Sequence, residues 1–572
     1  MLNAARQKYL VLTALEDYWD TNKPLVFLGD WCCRFGRRAA WDKPINEIIS
    51  HPFKVKGEHA RTFEYVSAVY EKFLVELAVK LNTIHSTSHN VRYWRIIIGP
   101  WLLCYIGAMY ERYRLLKKVL IEHPGIITVL LPKDDRETPL DTRSFFSGLE
   151  NDEYNLQLFS SLLSLMSPID YQERPLGRKI LAVENVGPKT NLSTLKKIVN
   201  RLERIVVANF PGREKQLFMY YPYINISPRR LFVKSGSRIR YRNENTPIEI
   251  FRPNIEKSKR ERELVLSLME FPNDEFINLI KNLLPLDLPA SFYEGYSHLK
   301  KYAFRLFPNK VKAVLSAVSW YFMDHFKIWA AAMAEEGAYL IGNQHGGNYG
   351  CQKYFLYEDH ELNIVDYYFS WGWEKADSQA KIVPVPAGKF ISRINSIPKQ
   401  KEGILLGTTG SPRYSRILKS FMPFHYLGYI DWQSRFVDNL PEYLQALLAI
   451  RLYQHDYGWD LIERWKEINP GIKLEGWAVP FEKRLSDCRL YVCDHLSTTF
   501  VQAIARNKPT ILFWDPNIYK LRSDARSYYE ELVRLEILHF SPESAARNQR
   551  IIINQEKKYD FLCLNDLARI VN

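Results

Sequence analysis

Short apolar runs alternate with stretches of helical periodicity along most of this chain, and a polar turn closes nearly every run. Pro24–Leu28 (PLVFL) predicts a strand broken by Gly29-Asp30-Trp31, and Ile126–Leu131 predicts another ended by Pro132. Between them Val66, Val69, Tyr70, Phe73, Leu77 and Leu81 fall mostly on one face of a helix over Phe63–Leu81. Asn155–Met166, Leu195–Val206, Glu261–Leu284 and Lys310–Glu335 also read as helices, the second able to continue as a strand at Ile205–Asn209. Tyr220–Pro253, rich in Pro, Tyr and Arg, reads as an irregular insertion with strand-like pieces at Leu231–Lys234 and Ile248–Phe251. Tyr339–Ile341 predicts a strand that runs into the turn NQHGGNYG.

Val383–Gly403, with three prolines among scattered charges, reads as a linker, and the pattern restarts after it. Strand Ile404–Leu406 leads to the turn GTTGSPRY, then a helix near Asp431–Asn439, strand Ala446–Leu452, the turn YQHDYGWD and a helix over Leu461–Glu467. Arg489–Pro516 (RLYVCDHLSTTFVQAIARNKPTILFWDP) then reads as strand, hydroxyl-rich turn, buried helix and strand. Such alternation predicts parallel, doubly wound sheets. The expected architecture is therefore α/β and GT-B-like: two Rossmann-type doubly wound domains facing a cleft, with helical insertions in the N-terminal one. The boundary falls between residues 1–395, an acceptor-side domain, and 396–572, a domain that binds a nucleotide-sugar donor.

Composition narrows the partners. The 572 residues carry 78 Lys and Arg against 64 Asp and Glu, a net charge of +14 that favours anionic ligands. The charge is scattered, and no nucleic-acid-binding signature accompanies it. Seven cysteines without regular spacing point to reduced thiols and a cytoplasmic location. Ile96–Tyr110 is the most apolar run, but it is shorter than the ~20 residues that span a bilayer. A buried helix is expected there, with membrane contact at most peripheral.

Candidate chemistry sits at the strand-end turns. In the C-terminal half, Thr408 and Thr409 lie in a Gly-rich turn with Arg413 beyond it. Arg451 leaves its strand ahead of His455, and Ser497, Thr498 and Thr499 open a helix. Hydroxyls, backbone N–H groups and guanidinium groups at neighbouring strand ends suit a phosphate or carboxylate. In the N-terminal half, Asp30 directly follows a strand, where a carboxylate can deprotonate an acceptor, attack an anomeric carbon or simply cap a turn. His345, followed by Gly346 and Gly347, can serve as an acid/base group or meet a leaving phosphate. Glu358, His360, Glu361 and Asp366 match no zinc or calcium spacing, so no metal and no cofactor are expected.

At these residues the chain resembles a family of transferases encoded in bacterial O-antigen and capsule gene clusters, retaining pseudaminyltransferases among them. FLGDWC (Phe27–Cys32), WRIIIGPWL, NQHGG, SWGW, GTTGSPRY, RLYQHDYGW and STTF…NKPTILFWDP carry the resemblance across nearly the whole chain. That family is similar in turn to GT-B enzymes that use CMP-activated nonulosonates or Kdo. The resemblance implies transfer of a pseudaminic, legionaminic, sialic or Kdo-like sugar from CMP to a glycan or lipid-linked glycan acceptor of a surface polysaccharide. It implies Asp30 and His345 as catalytic groups. It implies donor contacts at Arg451, His455, Ser497, Thr498 and Thr499, which join Gly346, Gly347, Thr408, Thr409 and Arg413 read from the turns, and the expected location stays cytoplasmic with any inner-membrane contact peripheral. This chain has Arg-Leu-Tyr-Gln-His where some relatives carry Lys-Pro-His-Pro. Polyol phosphate transfer from CDP-glycerol and a non-catalytic glycan-binding protein are the competing readings.

Overall fold

Three parallel sheets organise the chain in the computed structural model, which describes residues 7–166, 169–181, 217–224, 239–242, 262, 274–388, 390 and 403–554. The first sheet orders its strands Glu47–Ile48, Leu25–Phe27, Tyr9–Val11, Ile127–Leu130 and Asp170–Glu173. The second runs Lys381–Pro384, Tyr367–Ser370, Tyr339–Asn343, Ala313–Ser316, Leu217–Tyr220 and Ile239–Arg242. The third runs Lys473–Glu475, Leu448–Arg451, Ile404–Gly407, Leu490–Cys493, Thr510–Phe513 and Leu538–His539. The α/β class with parallel sheets is as expected. The segment before residue 395 holds two sheets, one more than the pattern predicts.

The strands of the third sheet are short and apolar because helices cover both faces. All four residues of Ile404–Gly407, Leu490–Cys493 and Thr510–Phe513 are buried. Two long helices, Glu58–His85 and Val91–Glu122, pack against each other as the helical part of the N-terminal half. The second absorbs the run Ile96–Tyr110 entirely into the interior, tolerating Pro100 within it. Among the described residues no helix is long and apolar enough to cross a membrane.

One expected element is overturned. Lys310–Glu335 is not a continuous helix: Ala313–Ser316 is a strand, followed by helices Ser319–Phe322 and Asp324–Glu335. Ala313–Ser316 lies between two strands, its last three residues buried, and ladder pairing on both sides outweighs helical propensity. The elements expected at Leu195–Val206, Ile205–Asn209, Leu231–Lys234 and Ile248–Phe251, and most of the Val383–Gly403 linker, lie outside the described residues.

Candidate functional site

In the third sheet the winding direction reverses at Ile404–Gly407, leaving a crevice at the carboxyl ends of this strand and Leu490–Cys493. Gly407 pairs with Arg451 on one side and Cys493 on the other, which brings two predicted turns and the hydroxyl turn to one edge. A Cβ on Gly407 would stand 2.4 Å from the Tyr491 hydroxyl oxygen, so this close approach requires glycine. Thr408 donates through its backbone N–H (3.2 Å) and its Oγ1 (3.1 Å) to the Arg451 carbonyl. The Thr409 N–H donates to the Tyr429 hydroxyl at 2.8 Å.

Arg451 is the unusual member. It is buried, donates from Nη2 to the Val479 carbonyl at 2.7 Å, and lies 4.6 Å from the centroid of the Trp477 ring. Its Nε and Nη1 have no hydrogen-bond partner. An unsatisfied buried donor costs about 1–3 kcal/mol, and more where charge is involved. Two such donors lie beside a strand-end turn, with the Glu475 carboxylate of the adjacent strand acting on the same guanidinium.

Ser497 caps the seven-residue helix Thr498–Ile504, accepting from the Thr499 N–H at 3.3 Å, with the two hydroxyl oxygens 2.8 Å apart. Thr498 instead turns toward the second sheet, where its Oγ1 accepts from the Gly347 N–H at 3.0 Å. Just before the turn, Asp494 accepts from Tyr429 (2.7 Å) and Gln433 (2.6 Å) and sits 2.7 Å from His495 Nδ1. Burial pulls the His495 imidazole down, yet charge on Cys493 and Asp494 outweighs it and raises His495 to about 10. That imidazolium is balanced by the Asp494 carboxylate and the Cys493 sulfur beside it, so it orders the base of the turn without adding net positive charge near Ser497.

The Asp494–Thr498 segment borders two cavities. The larger, about 860 Å³, has Asp30 and Lys54 on its first-sheet side and Tyr429, Asp494, Trp514 and Lys520 on its third-sheet side. Asp30 opens a short turn right after strand Leu25–Phe27, so its carboxylate looks from one sheet's carboxyl end toward another's. Burial raises the Asp30 carboxyl above the usual range, opposed by Lys54, His51 and Arg464. The smaller cavity, about 370 Å³, is bordered by His345, Gly346, Asn348, Thr498 and Arg143, with an aromatic floor that includes Tyr321 and Tyr357. His345 Nε2 lies 3.4 Å from the Tyr349 hydroxyl, and Nδ1 lies 4.0 Å from Glu361.

The structure therefore gathers Gly346, Gly347, Ser497, Thr498 and Thr499 at one junction, with Thr408, Thr409 and Arg451 along the same sheet edge. Asp30 and His345 open into different cavities. Arg413 is committed elsewhere: its guanidinium donates to both Asp152 oxygens (3.2 and 2.5 Å), the Trp31 carbonyl (2.5 Å) and the Tyr457 carbonyl (3.1 Å). That arrangement ties the third sheet to the N-terminal lobe. His455 is exposed beside Tyr453 and Tyr457, away from either cavity lining. Sequence reasoning passed over Arg143, Lys54 and Tyr429, which carry no local motif; only their tertiary neighbours reveal them. Among the described residues no group of three His, Cys, Asp or Glu side chains could hold a metal ion, and six cysteines are free and buried.

A family profile described as LIC12162 family transferase matches residues 8–554. The chain belongs to the LIC12162 family of transferases. A search of curated proteins found no match. Solved structures with partial likeness include spinosyn forosaminyltransferase SpnP, at 10% identity and TM-score 0.30, over 63% of this transferase and 95% of that chain. They also include the wall teichoic acid polymerase TagF, at 12% identity and TM-score 0.29, over 66% and 90%. TarM follows at 12% identity and TM-score 0.27, over 49% and 59%. Overlap of that depth assigns neither substrate nor reaction to the transferase.

Proposed function

We propose that this transferase is a glycosyltransferase that moves a nonulosonate-type acidic sugar from CMP to a glycan acceptor of a surface polysaccharide. The observation that carries the reading is the position of Asp30, which opens an interlobe cavity whose opposite wall is the carboxyl edge of the third sheet. Nucleotides favour that edge in doubly wound sheets. The anomeric carbon of such a sugar is quaternary and bears a carboxylate, so loss of CMP develops oxocarbenium character while two anions must be held. Arg451, with two unpartnered N–H donors, and the Ser497–Thr499 hydroxyls supply that hold. His345, joined to the same turn through Gly347 and Thr498, reaches the leaving phosphate from the neighbouring smaller cavity in this reading.

Asp30 is the reactive carboxylate. In a retaining path it attacks the anomeric carbon as CMP departs, and the acceptor hydroxyl then displaces it. In an inverting path it takes the acceptor's proton instead. The anomeric configuration of the product, read by NMR, separates the two.

Thermal unfolding with CMP, CDP or UDP, followed by incubation with CMP-sugars and CDP-glycerol, tests the reading. Stabilisation by cytidine nucleotides and CMP release from a CMP-nonulosonate are expected. A shift with UDP alone, or CMP release from CDP-glycerol alone, would overturn it.

A further inference from the structure

We propose that Glu361 is the proton partner of His345, a positioning residue that sets the charge of the imidazole facing the smaller cavity through a relay of tyrosine hydroxyls. The inference rests on the reading of His345 as a group that meets the leaving phosphate.

Glu361 lies on helix Leu356–Ile364 and is completely buried, one layer behind the cavity wall. The Tyr349 hydroxyl bridges the pair, 2.8 Å from Glu361 Oε1 and 3.4 Å from His345 Nε2. Tyr321 also donates to Glu361 Oε1 and lies 2.9 Å from the Tyr349 hydroxyl, so both tyrosines are fixed on one carboxyl oxygen. Tyr368, on a strand of the second sheet, lies near the carboxyl without making a hydrogen bond to it. The negative charge of Glu358, on the same helix, further disfavours ionisation of Glu361.

A structural role alone does not require an acid here. Glutamine would fill the same space and accept the same tyrosine hydrogen bonds without the penalty of a buried titratable group. Burial raises the carboxyl to about 8, so it holds a proton near neutrality that it can surrender. When phosphate approaches His345, the Tyr349 hydroxyl turns its O–H from Glu361 Oε1 to Nε2, accepts the carboxyl proton carried on Oε1 and passes its own proton to Nε2. An imidazolium and a carboxylate result, with no net change in charge. The two groups titrate as one unit. The imidazolium then binds the departing phosphate, and the proton returns when CMP leaves.

The test is the titration of His345, followed by NMR of the labelled imidazole in the intact protein, in wild type and in Glu361→Gln. Removal of the carboxylate should lower the His345 pKa by at least one unit. CMP release at neutral pH should then drop at least tenfold with KM within about threefold, and the basic limb of the rate profile should move to lower pH. Tyr349→Phe breaks the relay but keeps the carboxyl, and should give a smaller shift in the same direction; it also serves if Glu361→Gln does not fold. Glu361→Asp should restore part of the rate. An unchanged His345 titration in both variants overturns the inference, whatever the reaction. Retention of CMP release in His345→Ala would instead refute the role of His345 in the transfer, and with it the catalytic purpose assigned to Glu361.

Discussion

The Gly347 N–H donates to Thr498 Oγ1 at 3.0 Å, joining turns 151 positions apart in the chain. The approach is so close that a Cβ on Gly347 would stand 2.4 Å from the Ser497 carbonyl oxygen. Backbone cannot retreat as a flexible side chain can, so the two sheets meet here only because position 347 is glycine.

Gly347→Ala is therefore expected to force the turns apart and to destabilise the protein by about 1–3 kcal/mol, a typical overpacking cost. Thr498→Val removes only the hydrogen bond, worth about 1 kcal/mol. Urea denaturation ranks the two; the reverse order would show that the contact is held by the hydroxyl and not by the close fit.

Asp30→Asn should abolish turnover while leaving CMP binding intact. The folded-state pKa of Asp30 is raised, so its contribution to stability is fully present below the unfolded value and is lost as pH rises through the folded one. At neutral pH the asparagine variant should accordingly melt at the same temperature or higher. In the active enzyme, Lys54→Met removes a cation that favours the carboxylate, and the acidic limb of the rate profile should move to higher pH.

Arg451 is predicted to act in the opposite sense from Arg413. Arg451→Met deletes two unsatisfied buried donors, so stability should hold or improve while stabilisation by CMP disappears. Arg413→Met removes the cation from the mostly buried Asp152 carboxylate, leaving it only the Tyr414 hydroxyl and the Ala14 N–H, and should cost about 3 kcal/mol in urea denaturation. Equal losses of stability in the two variants would contradict this division.

Glu361→Gln should flatten the dependence of melting temperature on pH. The raised carboxyl contributes stability below its ordinary value of 4.5 and loses it as pH approaches about 8. Wild type should thus decline relative to the variant across that window; parallel curves would show that Glu361 does not titrate there.

Much of the third sheet could be read directly from the chain, because Ile404–Gly407, Leu448–Arg451, Leu490–Cys493 and Thr510–Phe513 are apolar runs closed by polar turns. Ala313–Ser316 escaped because a four-residue apolar run ahead of a helix shares the helix's periodicity until its ladder partners are known. The strand-end residues Asp30, His345 and Ser497 stood out by position, but their distribution over two cavities is tertiary information. Glu361 was weighed in the sequence only as one of four residues whose spacing fits no metal, and its burial beneath tyrosines arriving from other elements is again tertiary information.

The Arg413–Asp152 pair and the Arg34–Asp460 pair, at 2.5 and 2.8 Å, both join the N-terminal lobe to loops at the carboxyl edge of the third sheet. Ion pairs at those points oppose a wide opening of the two lobes. If the transferase works on the proposed nucleotide-sugar, passage of sugar and spent nucleotide would fall to the lining of the larger chamber, to which Lys54–Gly57 and Asn517–Lys520 both contribute. In such an enzyme the pace of catalysis would be governed by small movements of those two segments.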